Sequence, residues 1–217
     1  PGDDEPGYRP VGLDLEKKSL VATERDDDAR AQWRAEMAEL DPHQFVFLDE
    51  SSANVTLTPR CARAPKGERA PGSAPRNYRH NTTLVAALTS AGIQAAMTLD
   101  GALDREAFAV YVQSFLLPSL RPGQIVILDN LSVHKRADVR QQIKAAGCQL
   151  LFLPAYSPDF NPIELAFSKL KTALRRAQAR TEEALDDAIA AALATITPTD
   201  ARHWFHPDGY HLVGQPF

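Results

Sequence analysis

Two aspartates in this sequence each follow a short apolar run of the same form. Asp49 ends the run FVFL at 45–48, and Asp129 ends the run IVIL at 125–128. If the two runs form adjacent parallel strands, both carboxylates lie at one edge of a sheet, where each raises the pKa of the other. A hard divalent cation such as Mg²⁺ relieves this repulsion and keeps coordination sites for substrate phosphates. The alternative is that both are ordinary polar residues at strand ends.

Glu164 is the third candidate ligand, and its surroundings allow two interpretations. Asn161 precedes Pro162, and Glu164 follows three residues after Asn161, which is the pattern of a helix N-cap with a capping box. The helix that begins there follows an apolar strand at 149–153. Its first turn can therefore lie over the same sheet edge as the two aspartates. The sequence predicts either a cap or a third carboxylate of one site.

The elements that position these acids follow from hydrophobic periodicity and turn residues. Apolar runs predict strands at 45–49, 82–89, 93–99, 125–129 and 149–153. Helical patterns occupy 26–40, 103–117, 136–146, 161–179 and 181–196, and a long Pro-rich loop occupies 51–81. An antiparallel hairpin followed by alternating strands and helices predicts an α/β fold, with a mixed sheet and helices on both faces.

The overall composition is that of an ordinary folded domain. The chain has 217 residues, is 44% hydrophobic and carries a formal net charge of −4. No apolar run approaches the ~20 residues of a membrane span, and no signal-peptide pattern is present, so we expect no membrane partner. Cys61 and Cys148 are too few for a disulfide framework, which predicts a reducing, cytoplasmic location.

The negative total conceals two basic clusters. The segment 60–79 holds six basic residues against one acid, and the segment 169–180 holds five with none. Such clusters bind DNA phosphates without reading the base sequence, although a solvated surface is the other interpretation. The residues predicted to contact DNA are Arg60, Arg63, Lys66, Arg69, Arg76, Arg79, Lys169, Lys171, Arg175 and Arg176.

Three strings of residues together resemble a known family. They are Asp49 after its apolar run, LDNLSVH at 128–134, and PAYSPDFNPIE at 154–164, with 34 residues between Asp129 and Glu164. This combination is similar to DDE transposases of the mariner superfamily, in particular to the bacterial branch typified by insertion sequence 630. The resemblance extends over nearly the whole chain, from about Leu20 to Tyr210.

The resemblance implies a ribonuclease H-like fold built on a mixed five-stranded sheet. It implies that Asp49, Asp129 and Glu164 form a catalytic triad holding two Mg²⁺ ions, which Mn²⁺ can replace. The implied substrate is double-stranded DNA, as transposon ends and as target, and the implied assembly is a homodimer in the synapse. The implied location is the bacterial cytoplasm, in association with the nucleoid.

Three further residues near the triad have supporting or structural interpretations. Asn130 can orient Asp129 or the turn after it. Members of the family that this sequence resembles commonly have a histidine at the position of His134. This residue can contact phosphate or water near the metal ions, or it can simply hydrogen-bond the backbone at the start of a helix. Glu50 should point to the face of its strand opposite Asp49.

The N-terminal part departs from the family pattern. Relatives carry helix-turn-helix DNA-reading domains there, whereas only 44 residues precede Phe45. We interpret 1–25 as a tail or remnant linker and 26–217 as the catalytic domain. End recognition then either resides on a missing segment or is lost in a truncated copy. Two alternatives remain open: an inactive or truncated remnant that only binds DNA or a partner, and a ribonuclease H-like nuclease without strand transfer.

Overall fold

The chain folds around one mixed β-sheet. The computed structural model describes residues 22–76, 78, 80–131 and 134–212. The strands are β1 (Phe45–Ala53), β2 (Thr82–Thr89), β3 (Gly92–Asp100), β4 (Ile125–Leu128) and β5 (Gln149–Phe152). They lie in the order β3-β2-β1-β4-β5, with β1 antiparallel to β2 and parallel to β4, and with β4 parallel to β5. The mixed five-stranded sheet predicted from the sequence is confirmed.

Helices connect and cover these strands. They are α1 (Asp27–Ala38), α2 (Arg105–Tyr111), α3 (Leu117–Ser119), α4 (Ala137–Ala145), α5 (Ile163–Ala177), α6 (Glu182–Ala194) and α7 (Pro198–Phe205). Short 3₁₀ turns at Pro42–Gln44 and Pro158–Phe160 precede β1 and α5. Within the described residues, every helix is too short or too polar to cross a lipid bilayer.

Alternate residues of β1 enter two separate hydrophobic cores. Phe45 and Phe47 pack into a core covered by α1, α5, α6 and α7. Val46 and Leu48 pack on the other face, into a core built with α2 and α4. The helices therefore cover both faces of the sheet, as predicted. Because side chains alternate along a strand, Asp49 continues the first face of β1 beyond the core.

Several helices begin at a side-chain cap that their sequence supplies. The cap satisfies backbone amides that have no partner within the helix. Asp26 accepts from the N–H of Ala29 at the start of α1, and Asp104 accepts from Ala107 at the start of α2. Thr181 caps α6 in the same way, so α6 begins as a helix separate from α5.

The structure changes three element boundaries. β1 continues past the predicted end at Asp49 as far as Ala53, because β2 pairs with it along that length. Pro118 does not close the helix predicted at 103–117. A π-helical turn at Val112–Leu116 interrupts that helix, and Pro118 then lies in the first turn of α3, where its missing N–H leaves no bond unmade.

Helix α7 was not predicted from the sequence. Its signal is a capping box in which Thr197 accepts from the N–H of Asp200, and Asp200 accepts from the N–H of Thr197. Pro198 occupies the first turn, where proline is favoured. A weakly apolar segment of eight residues gives little periodicity, so the cap was the only readable indication.

Helix α1 fixes the turn that leads into α5. Arg30 is 1% exposed; its guanidinium donates two hydrogen bonds to Asp159 and lies 4.1 Å from the centre of the Phe160 ring. A second connection runs from Trp33 Nε1 to the hydroxyl of Tyr210, which in turn donates to the carbonyl of Phe160 at 2.8 Å. The turn at 158–160 is thus held by a charge pair, a cation–π contact and a buried hydrogen-bond chain.

We expect Asp159→Asn to lower the free energy of unfolding by about 2 kcal/mol, because it leaves a buried guanidinium with a weaker partner. The matched control is Asp27→Asn, which breaks the exposed Arg25–Asp27 pair and should change stability by less than about 0.5 kcal/mol. Urea unfolding at pH 7 measures both variants.

The same pair gives a pH dependence. The hydrogen bond from Arg30 lowers the pKa of Asp159, so its contribution to stability is present above the ordinary pKa and is lost as the pH falls through the lowered pKa. The stability gap between wild type and Asp159→Asn should persist at pH 6 and shrink below about pH 4. A gap that stays constant down to pH 2 would contradict this assignment.

Candidate active site

The register of β1 and β4 brings two aspartates to one edge of the sheet. Leu48 pairs with Leu128 in the parallel ladder, and each is followed directly by an aspartate. Asp49 and Asp129 line one cleft of about 410 Å³ at the carboxyl ends of these strands, and Glu164 lines the same cleft. The structure therefore brings together the three acids that the sequence singled out.

Glu164 enters the cleft from the first turn of α5. The residue before the helix is Pro162, and no side chain among the described residues caps the helix. The capping-box interpretation of Asn161 and Glu164 is wrong, because the Asn161 side chain donates to Asp49, and its Oδ1 accepts from no backbone N–H among the described residues. The exposed Glu164 carboxylate instead lies at the positive end of the helix dipole, which favours its charge.

Asn161 holds Asp49 in a fixed orientation. Its Nδ2 donates to Oδ2 of Asp49 at 2.8 Å, while Oδ1 of Asp49 accepts from the N–H of Glu50 at 2.8 Å. Asn161 is 3% exposed, and its Oδ1 has no hydrogen-bond partner within the described residues. The pKa of Asp49 is raised to about 7, chiefly by burial; the charges of Glu50, Glu164 and Asp129 contribute to this rise, and the Glu50 N–H opposes it.

His134 holds Asp129 from the side of the second core, where its ring packs 4.7 Å from that of Phe108. Its Nδ1 lies 2.6 Å from Oδ1 of Asp129, and its Nε2 lies 3.4 Å from Oε2 of Glu50. Burial lowers the pKa of His134, but its interactions with the two carboxylates outweigh burial and raise the pKa to about 9. The protonated ring therefore donates to Asp129 and forms an ion pair with Glu50. The Glu50 side chain contacts the site through this histidine, from the face of β1 opposite Asp49.

A basic groove adjoins the cleft at Glu164 and follows one stripe of α5. Glu164 lines both cavities, and residues three and four apart on a helix share one face. The groove has a volume of about 530 Å³. We call it the α5 groove, and it is lined by Pro59, Arg60, Cys61, Glu164, Phe167, Ser168, Lys171, Thr172, Arg175 and Arg176.

The other predicted DNA-contacting residues are placed differently. Lys169 does not lie in the α5 groove; its Nζ donates to Asp200 at 2.8 Å and to the carbonyl of Thr195 at 2.9 Å, which ties α5 to α7. The remaining four described positions are exposed on the irregular segment 54–81; they are Arg63, Lys66, Arg69 and Arg76. Arg79 lies outside the described residues. Asn130 lines the cleft beside Asp129.

Arg180 fastens the Pro-rich segment to the body of the domain. Its Nη1 donates to the carbonyls of Val55 and Leu57 at 3.0 and 3.1 Å, and its Nη2 donates to the carbonyl of Ser73 at 3.3 Å. The segment therefore has a defined base near α5, and Arg60 lies across the groove from the helix. Residue type alone does not distinguish this structural arginine from Arg175 and Arg176, which line the α5 groove.

The chain matches a family model over most of the region that builds this site. The matching model describes a DDE superfamily endonuclease, and it covers residues 44–186. The chain belongs to this family. The matched range begins just before β1 and ends within α6, so it includes all three acids and the α5 groove. No curated protein matches the sequence of this DDE endonuclease.

Solved structures with the same fold include those of the Mos1 transposase. A paired-end complex with the left transposon end has a TM-score of 0.71 at 17% identity and matches 92% of this chain and 64% of that one. A Mos1 mariner paired-end complex with Mn gives 0.71 at 18% identity over the same shares. The Mos1 mariner catalytic domain alone gives 0.60 at 15% identity, over 84% and 87%. At these identities the likeness is one of fold, the ribonuclease H-like fold. The endonuclease chain spans about 64% of the first of these proteins.

The donor set of the cleft fits a hard divalent cation. Asp49, Asp129 and Glu164 offer carboxylate oxygens, and the buried Oδ1 of Asn161 is an oxygen with no partner among the described residues. Oxygen-only sites with an open side suit Mg²⁺ and Mn²⁺, which keep part of their water shell. Within the described residues, no three His, Cys, Asp or Glu side chains close around one point, so the acids line the cleft without forming a complete cage.

The role of Asn161 was not predicted from the sequence. The pattern of Asn161, Pro162 and Glu164 predicts only a helix cap. The actual partner of the Asn161 side chain, Asp49, lies 112 positions away, so only the packing of the fold brings the two together. Freed from that role, its side chain points across the cleft to Asp49.

We expect Asn161→Ala to weaken Mn²⁺ binding by about 10- to 100-fold, because partners that orient a ligand contribute that much to metal affinity. Titration calorimetry of the purified chain measures the dissociation constant. The matched control is Asn54→Ala, which removes a side-chain amide that bonds Asn81, away from the cleft. Equal Mn²⁺ affinities of wild type and Asn161→Ala would contradict a role of Asn161 in holding Asp49.

Proposed function

We propose that residues 26–217 form the catalytic domain of a DDE transposase that cuts DNA at the ends of a mobile element and joins them to target DNA. One observation carries the proposal. Asp49, Asp129 and Glu164 line one cleft, and Glu164 also lines the adjoining basic α5 groove. An acidic site for cations beside a basic track for phosphates is what strand cleavage requires.

The proposed cofactor is Mg²⁺, with Mn²⁺ as a substitute, and Mos1 neighbours solved with Mn or Mg support this choice. Asp49, Asp129 and Glu164 would hold two such ions. When bound, the ions supply an activated nucleophile and stabilise charge on the attacking and leaving oxygens of a phosphoryl transfer.

The chain itself supplies orientation and charge. Asn161 fixes one oxygen of Asp49, and His134 fixes one oxygen of Asp129, so that neither carboxylate must be ordered when substrate arrives. Lys171, Arg175 and Arg176 line the α5 groove, where they would hold the DNA backbone by phosphate contacts. No protein group has to accept a proton in this arrangement.

The assignment to the branch of insertion sequence 630 is part of the proposal. It is supported by the string PAYSPDFNPIE and by the 34 residues between Asp129 and Glu164. A homodimeric synapse, with DNA ends paired between two copies, belongs to the same proposal, as does a location on the bacterial nucleoid in the cytoplasm. Mos1 complexes with paired transposon ends support the synapse.

We expect Asp49→Asn, Asp129→Asn and Glu164→Gln each to lower Mn²⁺-dependent DNA cleavage by about a thousandfold or more while the fold is kept, because each loses a metal-binding charge. Nicking of supercoiled plasmid carrying candidate element ends measures the rate. Asp187→Asn, an exposed acid on α6, is the matched control and should cut like wild type. An Asp129→Asn variant that nicks at the wild-type rate would overturn the triad.

The same plasmid assay separates the proposal from its nearest alternatives. A transposase joins the freed 3′ end to a second DNA molecule, so a labelled pre-cut end should appear covalently attached to target plasmid. Cleavage without joining would favour a nuclease on the same fold. Binding without cleavage, in wild type and triad variants alike, would favour an inactive remnant.

We expect Arg175→Ala and Lys171→Ala each to weaken DNA binding on all sequences and to reduce the salt slope by about 1, because each removes one phosphate contact. Fluorescence anisotropy across a salt series measures affinity and slope. Lys169→Ala is the matched control: its charge is paired with Asp200, so it should lower stability but leave the slope unchanged. A slope reduced only by Lys169→Ala would place the DNA elsewhere.

A further inference from the structure

Tyr156 is the most unusual residue in the wall of the triad cleft. It lines the cleft together with Asp49, Asp129 and Glu164, yet its side chain is 58% exposed. Its backbone has φ of 53°, in the left-handed region. Residues with bulky side chains seldom adopt this conformation, and such outliers gather at sites of function.

The surrounding turn holds Tyr156 in this conformation. Ser157 is buried, and its Oγ donates to the carbonyl of Ala155 at 3.2 Å, which closes the chain around Tyr156. The next 3₁₀ turn is closed by the N–H of Phe160, which donates to the carbonyl of Ser157 at 3.1 Å. Arg30 in turn holds Asp159 of that turn. The strain is therefore imposed by a fixed turn that presents the ring outward.

The Tyr156 ring makes no hydrogen bond, ion pair or ring contact with the described part of the protein, so the fold gains little from it. Leu131, which is 50% exposed, lines the same cleft. Two exposed apolar side chains thus lie beside three carboxylates, at a place where polar residues would serve solubility better. With cations held by the carboxylates, a ligand that is anionic in one part and flat and apolar in another would match this pairing.

We propose that Tyr156 is a stacking platform for one unpaired nucleobase next to the phosphate that is cut, with Leu131 contacting the same nucleotide. The inference rests on the proposed function, since it takes DNA as the substrate. A base within a duplex has both faces covered by its neighbours, so an exposed ring in the cleft can stack only on a base that is frayed or turned out of the helix. The platform would lower the free energy of unpairing at the cut site.

Binding of DNA with a fluorescent base tests this proposal without cleavage. The probes are duplexes with 2-aminopurine placed in turn at each of the last nucleotides, in one set fully paired and in another set with a four-nucleotide single-stranded end. Binding is measured with the wild-type chain in EDTA. Stacking on an aromatic ring quenches 2-aminopurine, so the wild-type chain should quench it at one position of the unpaired end.

Two substitutions separate the ring from the backbone. Tyr156→Phe keeps the ring and should keep the quenching. Tyr156→Asn removes the ring but tolerates the left-handed backbone, so it should melt close to wild type, lose the quenching and bind the unpaired end about 5- to 150-fold more weakly, the range for one stacked base. Affinity for the fully paired duplex should change little. Phe115→Ala, which removes an exposed aromatic on another face, is the matched control.

Cleavage by the same protein preparations in Mn²⁺ distinguishes a failure of the stacking proposal from a failure of the transposase proposal. Wild-type cleavage combined with quenching that does not depend on the Tyr156 ring would overturn the platform and leave the transposase proposal standing. Ring-dependent quenching without cleavage by wild type would keep the platform and remove the transposase proposal. Affinity lost equally on paired and unpaired DNA would show that Tyr156 contacts the duplex backbone, and would also overturn the platform.

Discussion

Three carboxylates that face one cleft repel each other, and the rest of the structure serves to keep them there. At Asp49, burial and the neighbouring charges together raise the pKa of the carboxyl group to about 7. Each acid has its own compensation: Asn161 donates to Asp49, protonated His134 donates to Asp129, and the N-terminus of α5 faces Glu164. The site is thus held ready for cations by hydrogen bonds and a helix dipole.

Each compensation depends on elements far from the cleft. Asn161 lies at the end of a turn that accepts hydrogen bonds from both Arg30 of α1 and Tyr210 near the C-terminus. His134 is held by the second core, against Phe108 of α2. Residues near both ends of the described chain and on both faces of the sheet therefore determine how the carboxylates of Asp49 and Asp129 are oriented. Because protein interiors are close-packed, a displacement at α1 is transmitted to Asn161 rather than absorbed.

What the sequence could predict follows from how local the causes are. The matched runs before Asp49 and Asp129 are local and period-based, and they predicted the strands and their shared edge. The bonds of Asn161 and Lys169 join them to partners more than 25 positions away, Asp49 and Asp200, so residue type alone could predict neither bond. The prediction that Pro118 ends its helix was wrong for a similar reason, since packing decides whether a helix ends at a proline or continues through a π-helical turn.

The distribution of charge explains how an acidic protein would suit the proposed polyanionic partner. A net charge of −4 spread evenly would repel DNA at every approach, but Lys171, Arg175 and Arg176 are gathered on one face of α5 that begins at Glu164. The field of an exposed charge falls off over about 8 Å in physiological salt, so DNA in the groove would be governed by that face and not by the total charge. The acid that a cation would neutralise and the basic residues that would hold phosphates lie on one helix. Their spacing is therefore fixed by the helix itself, which is the most rigid means the fold has of placing a phosphate beside the cleft.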